Sequence, residues 1–131
     1  MSGVGPCGTT GEFINLTEKE ERTVIDIVID EANGKVKVIA GTGAAGTDQA
    51  LVMTKYAKDA GADAALIVPP FYLKPADRGI YEHFSTIASH VDLPIMFYNI
   101  PQASGVPYLS CGSRIHSRKF NIERVYALPT L

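Results

Sequence analysis

Two adjacent hydroxyls flanked by glycines, Gly8-Thr9-Thr10-Gly11, followed at once by Glu12, are the residues of this chain best suited to chemistry. Glycine lets a backbone approach a ligand closely, and threonine hydroxyls with free N–H groups can hold a carboxylate. The run follows a short strand-like stretch, Val4-Gly5-Pro6-Cys7, and leads into a capped helix. Three later strand-like segments end in comparable residues: Thr42 between glycines, Phe71 with Tyr72, and Tyr98 with Asn99. Two phenols and a threonine hydroxyl can relay a proton without titrating a charge, because each group both donates and accepts. Such a relay suits carbonyl chemistry in which protons must reach and leave a carbinolamine.

The elements that must position these groups alternate. Thr17-Glu18-Lys19-Glu20 has the pattern of a capping box, and Val24, Ile25, Val28 and Ala32 give the helix it opens an apolar stripe. Asn33-Gly34 ends that helix, and residues 36–40 form a β-branched strand leading into Gly41-Thr42-Gly43. Thr47 is the expected cap of a second helix that closes at Gly61, and residues 64–68 form the next strand, stopped by Pro69-Pro70. Ile80, Phe84, Ile87, Ala88 and Val91 mark a third helix, and residues 95–98 a fourth strand. The strands are nearly continuous in apolar character, as in parallel sheets covered on both faces or closed into a barrel. The order β-α-β-α-β-α-β therefore predicts a parallel α/β sheet with Thr9, Thr10, Thr42, Tyr72 and Tyr98 at one edge, where barrel enzymes keep their sites. Residues 107–131 show no sustained period, and no strong element is expected there.

With 131 residues, 46% hydrophobic and 20% charged, the chain has room for one domain and a real core. A net charge of −2 gives no electrostatic case for nucleic acid or an anionic membrane, and no apolar run is long enough to span one. The first residues lack the charged leader of a signal peptide, and Cys7 and Cys111 stand in unrelated contexts, so reduced thiols and a cytoplasmic setting are expected. His83, His90 and His116 are isolated, which points to packing or surface roles rather than a metal site. Gly41-Thr42-Gly43-Ala44-Ala45-Gly46 spells a dinucleotide fingerprint, yet the next strand ends in Pro69-Pro70 rather than the acidic residue that would meet a ribose. A tight strand-to-helix loop explains those glycines better, and no cofactor is expected.

Beyond these readings the chain carries a resemblance. Gly8-Thr-Thr-Gly-Glu12, Val38-Ile-Ala-Gly-Thr-Gly43, Pro70-Phe-Tyr-x-Lys-Pro75, Tyr81-x-His-Phe84 and Leu93-Pro-Ile-x-x-Tyr-Asn-Ile-Pro101 resemble, in order and spacing, the dihydrodipicolinate synthase / N-acetylneuraminate lyase family. The likeness runs over residues 3–106. It implies a partial (β/α)₈ barrel, about strands 2 to 5, over residues 1–106, followed by a divergent tail over 107–131. It also implies a class I aldolase in which a lysine forms a Schiff base with pyruvate, which adds to an aldehyde or is released from a keto-acid. Tyr98 matches the tyrosine that shuttles protons at the Schiff-base carbon, and Thr9 the relay threonine. Thr10 matches the residue that holds the pyruvate carboxylate. Tyr72 matches the aromatic lent to a neighbouring subunit's site, so a homo-oligomer is expected.

Two departures qualify what the resemblance implies. In the synthases an arginine that binds the aldehyde's carboxylate sits two residues after the proline of Tyr-Asn-x-Pro, where this chain has Ala103. That shifts weight toward an N-acetylneuraminate lyase-like or 2-keto-3-deoxy-sugar-acid aldolase, although Gly-Thr-Thr-Gly-Glu favours the synthase side. The Schiff-base lysine is also missing: in the family it ends the sixth strand, in a Gly-x-Lys-[DE] context about 28 residues beyond the tyrosine, within a barrel of about 250 residues. Neither Lys74 nor Lys119 has that setting. The chain therefore reads as a truncated or frameshifted product, inactive by itself; the alternative from another class is a non-catalytic remnant that binds a small carboxylate or scaffolds an assembly.

Overall fold

In a computed structural model that describes residues 3–106 and 122–126, five parallel strands alternate with helices along the chain. The strands are β1 (Gly3–Val4), β2 (Lys37–Gly41), β3 (Ala64–Ile67), β4 (Ile95–Asn99) and β5 (Ile122–Tyr126). The helices are α1 (Glu18–Ala32), α2 (Thr47–Ala60), α3 (Asp77–His90) and the single turn α4 (Pro101–Ser104), with a 3₁₀ turn at Phe13–Asn15. Sheet order follows chain order from β1 to β5, and every pair is parallel. Consecutive parallel neighbours joined by helical crossovers of one hand carry all their helices on one face, which is how a sector of a (β/α)₈ barrel is built.

Local chemistry accounts for the element ends. Thr17 Oγ1 accepts from the Glu20 N–H (3.3 Å) while the Glu20 carboxylate accepts from the Thr17 N–H (2.8 Å), which closes the capping box. Asn33 (φ 44°) and Gly61 (φ 106°) end α1 and α2 in the left-handed region. Three expectations are corrected. The first strand stops at Val4 because Pro6 has no N–H to continue a ladder and Cys7 turns at φ 57°; only the Pro6 carbonyl still pairs, accepting from the Gly41 N–H at 2.9 Å. Gly46, not Thr47, is the N-cap of α2, and the Thr47 hydroxyl instead shares a 2.9 Å hydrogen bond with His83 Nδ1. Within the tail, Ile122–Tyr126 pairs with β4 as a fifth strand. Glu123 and Arg124 interrupt its apolar pattern, so the open edge of β4, rather than local sequence, defines it.

The core lies between the helices and one face of the sheet. Ala65, Ile67, Ile95 and Phe97 meet Ile80, Phe84 and Ile87 of α3, with the Phe84 and Phe97 rings 4.7 Å apart. Cys7, Ile25, Ala40, Met53 and Ala57 form a second cluster beneath α1 and α2. Ile39, Leu66, Met96 and Tyr98 alternate with these strand residues and are only half-buried, so the opposite face is the less covered one. Among the described residues no helix is long and apolar enough to cross a membrane.

Candidate active site

Because all five strands run the same way, the segments that follow β1, β2, β3 and β4 emerge at one edge of the sheet. After β1, two turns wind up the Gly8–Glu12 run: the Gly11 N–H donates to the Gly8 carbonyl (3.1 Å) and the Glu12 N–H to that of Thr9 (3.0 Å). The winding leaves Thr9 and Thr10 exposed and sets Glu12 at φ 52°. A cavity of about 200 Å³ opens beside this run, lined by Thr9, Glu12, Phe13, Ile14 and Asn15 on one side. Val68 and Phe71 beyond β3 and Ile100, Ala103 and Ser104 beyond β4 line the other. Phe13 and Phe71 meet edge to face across it, with ring centres 6.3 Å apart. Ser104 braces the far wall: its hydroxyl donates to the Ile100 carbonyl (3.0 Å) and accepts from the Val106 N–H (3.2 Å).

Of the four residues given roles by the resemblance, Thr9, Thr10, Tyr72 and Tyr98, one lines this cavity, Thr9; Glu12, Phe71 and Ala103, also singled out from sequence, line it too. Thr10 stands beside it, exposed. Tyr98 is half-buried near the end of β4, with its backbone in register with Val125. Tyr72 is 87% exposed at φ 73°, on a loop whose next residue, Leu73, is 85% exposed. Thr42 does not open to the edge. Its hydroxyl is buried and donates to Thr54 Oγ1 (2.8 Å), whose own proton goes to the Ala50 carbonyl (2.7 Å). Next to Tyr98, the Asn99 Oδ1 is buried without a hydrogen-bond partner among the described residues, an unmet acceptor at the strand-end edge. The aromatic and aliphatic walls at Phe13, Val68 and Ile100 were not legible as site residues, since each reads locally as ordinary core. Pro101 at the first position of α4 was the available signal for that turn.

Electrostatics separate reactive from inert groups. Burial and the nearby Glu21 carboxyl push the Cys7 thiol up to about 11, so it stays protonated and is no nucleophile. Burial lowers His83 to about 4, leaving a neutral imidazole edge-on to Phe84. The fingerprint glycines have steric reasons: a Cβ on Gly41 would stand 2.1 Å from the Cys7 carbonyl oxygen, and one on Gly43 2.6 Å from Val68 Cγ1. Among the described residues no cluster of three or more His, Cys, Asp or Glu could hold a metal ion.

Comparison with known proteins decides the lineage. The model of the dihydrodipicolinate synthetase family matches residues 1–110. This chain belongs to that family. A 4-hydroxy-tetrahydrodipicolinate synthase of Methanothrix thermoacetophila is 48% identical over 106 residues, 81% of this chain and 35% of the relative. The crystal structure of dihydrodipicolinate synthase from Aquifex aeolicus superposes with a TM-score of 0.93 at 41% identity, over 99% of this chain and 45% of that one. A chloride-inhibited dihydrodipicolinate synthase from Acinetobacter baumannii, complexed with pyruvate, gives 0.93 at 40% identity over 97% of this chain and 44% of that one. The chain thus spans about a third of the length of the curated relatives it matches. Its fold is part of the barrel of the dihydrodipicolinate synthetase family.

Proposed function

We propose that this chain is the pyruvate-holding sector of a dihydrodipicolinate synthase-like lyase. Thr9 on the wall of a cavity at the strand-end edge, in a chain of this family, is the observation that carries the reading. In the assembled enzyme a lysine amine adds to the ketone carbon of pyruvate, and the carbinolamine loses water to give the imine. That imine then serves aldol condensation with an aldehyde, or cleavage of a keto-acid. Thr10 holds the pyruvate carboxylate, and Tyr98, Thr9 and a Tyr72 from a neighbouring copy pass the protons. Tyr72, exposed on a projecting loop, is available to a second copy, in keeping with a homo-oligomer. The setting is the cytoplasm, where Cys7 and Cys111 stay reduced.

The amine is what this chain lacks. Position 126, 28 residues beyond Tyr98 and at the end of β5, is a tyrosine in register with Asn99. The chain by itself is therefore inactive. Borohydride reduction with pyruvate, read by mass spectrometry, tests this. The chain should gain no adduct, whereas Tyr126→Lys should gain one, and more slowly when Tyr98→Phe is added. An adduct on the unaltered chain would overturn the missing-amine reading; none on Tyr126→Lys would overturn the assignment of position 126. Ala103 on the cavity wall favours a second reading, a keto-deoxy-sugar-acid or N-acetylneuraminate aldolase whose aldehyde carries no carboxylate.

A further inference from the structure

Among the described residues three buried side-chain nitrogen or oxygen atoms have no hydrogen-bond partner: Arg22 Nε, His83 Nε2 and Asn99 Oδ1. The first belongs to a guanidinium that stacks on the Tyr56 ring at 4.5 Å and pairs with Glu18, and the second to a ring that Thr47 already holds. Asn99 has neither compensation, and it stands at the strand-end edge. It is the last residue of β4, between Tyr98 and the cavity-wall residue Ile100. A buried acceptor left unpaired costs stability. Its persistence at this edge requires a donor that the described fold does not supply.

The register of the sheet says where that donor enters. Asn99 pairs with position 126 at the end of β5. Residues in register on neighbouring parallel strands stand about 4.8 Å apart and project from the same face. Position 126 is where the proposed function places the missing amine, so a lysine there is rooted beside the Asn99 carboxamide. A carboxamide oxygen suits that neighbour. It accepts an N–H without bringing a charge, so it orients the nitrogen lone pair and leaves the amine neutral. A carboxylate in its place would hold the amine as ammonium, which is no nucleophile.

We propose that Asn99 is a positioning residue for the imine-forming amine: its Oδ1 accepts one N–H of a lysine at position 126 and aims the lone pair at the ketone carbon of pyruvate. This rests on the proposed function and adds the group that orients its nucleophile. The nitrogen bonds to the ketone carbon, and the two amine protons leave with the ketone oxygen as water. Asn99 exchanges no proton, and its contact serves the addition step.

Two measurements on the full 131-residue chain test this. In thermal melts Asn99→Leu, close to the parent in shape, should melt at or above it, because an unpaired buried oxygen gives way to a methyl group. A clearly lower midpoint would mean that the fold itself pairs this oxygen, through water or otherwise, and would overturn the proposal. In the Tyr126→Lys background, borohydride trapping with pyruvate is followed against pH, the hydride adding to the imine carbon. Asn99→Leu should slow adduct formation about 10-fold. Asn99→Asp should move the pH midpoint of the rate up by about 1 unit and recover the rate at high pH, since a carboxylate favours the ammonium. A rate indifferent to Asn99→Leu, or a midpoint indifferent to Asn99→Asp, would overturn this inference and leave the proposed function standing. No adduct on Tyr126→Lys at any pH would overturn both.

Discussion

His83 shows at the scale of one residue how burial becomes a pH dependence. Its ring is buried on α3, bonded through Nδ1 to Thr47, with Nε2 unpartnered among the described residues. Desolvation alone lowers it from 6.5 to about 4. The unfolded chain therefore takes up the proton first as pH falls. The stability tied to the neutral ring is complete above about pH 6.5 and is lost between 6.5 and 4, with about 2 kcal/mol gone by pH 5. Glu21 works the other way, because burial and Glu18 raise its carboxyl and the folded state holds that proton more tightly. Urea denaturation at pH 7 and pH 5 should show the unaltered chain losing stability on acidification and a His83→Gln variant losing clearly less. Equal losses in the two proteins would rule His83 out as the cause.

At the scale of elements, two glycines in one strand-to-helix loop make opposite predictions. Gly41 ends β2 where the chain after β1 crosses it, and an added Cβ meets the Cys7 carbonyl oxygen and carbon at 2.1 and 2.6 Å. That contact is with backbone and cannot be relieved by a rotamer change, so Gly41→Ala should cost about 3 kcal/mol, at the upper end of overpacking effects. Gly46 caps α2 with extended dihedrals (φ −116°, ψ 151°), no side-chain cap, and open space around it. Gly46→Ser should be neutral or stabilise by a few tenths of a kcal/mol, because serine can bond the first-turn N–H groups. Thermal melts of both variants check the pair, and a Gly41→Ala protein as stable as the parent would refute the close approach.

The whole molecule has helices on one face of a five-stranded sheet and half-buried Ile39, Leu66, Met96 and Tyr98 on the other. Two strand edges, at β1 and β5, stand at the ends of that sheet. Apolar sheet surface and open edges favour pairing with further protein. The isolated chain should therefore sediment at micromolar concentration as a dimer or larger species, and Leu66→Lys on the less covered face should shift it toward monomer. A well-behaved monomer of the unaltered chain would contradict this.

The sequence by itself determined the alternation of strands and helices, the α1 capping box, the glycine ends of α1 and α2, and the family. Those features rest on nearest-neighbour chemistry and on motifs a few residues long. It also put the threonine and tyrosine pairs at strand ends, which the parallel topology then collects at one edge. Tertiary structure decided the rest, because the deciding partner in each case lies far along the chain. Thr47 gives up its capping role for His83, 36 residues away. Thr42 turns inward to Thr54 instead of facing ligand. Glu123 and Arg124 enter a strand because the edge of β4 offers backbone partners whatever the side chains. Lys74 lies along Gly105, 31 residues on, where an added Cβ would crowd its Cε at 2.6 Å.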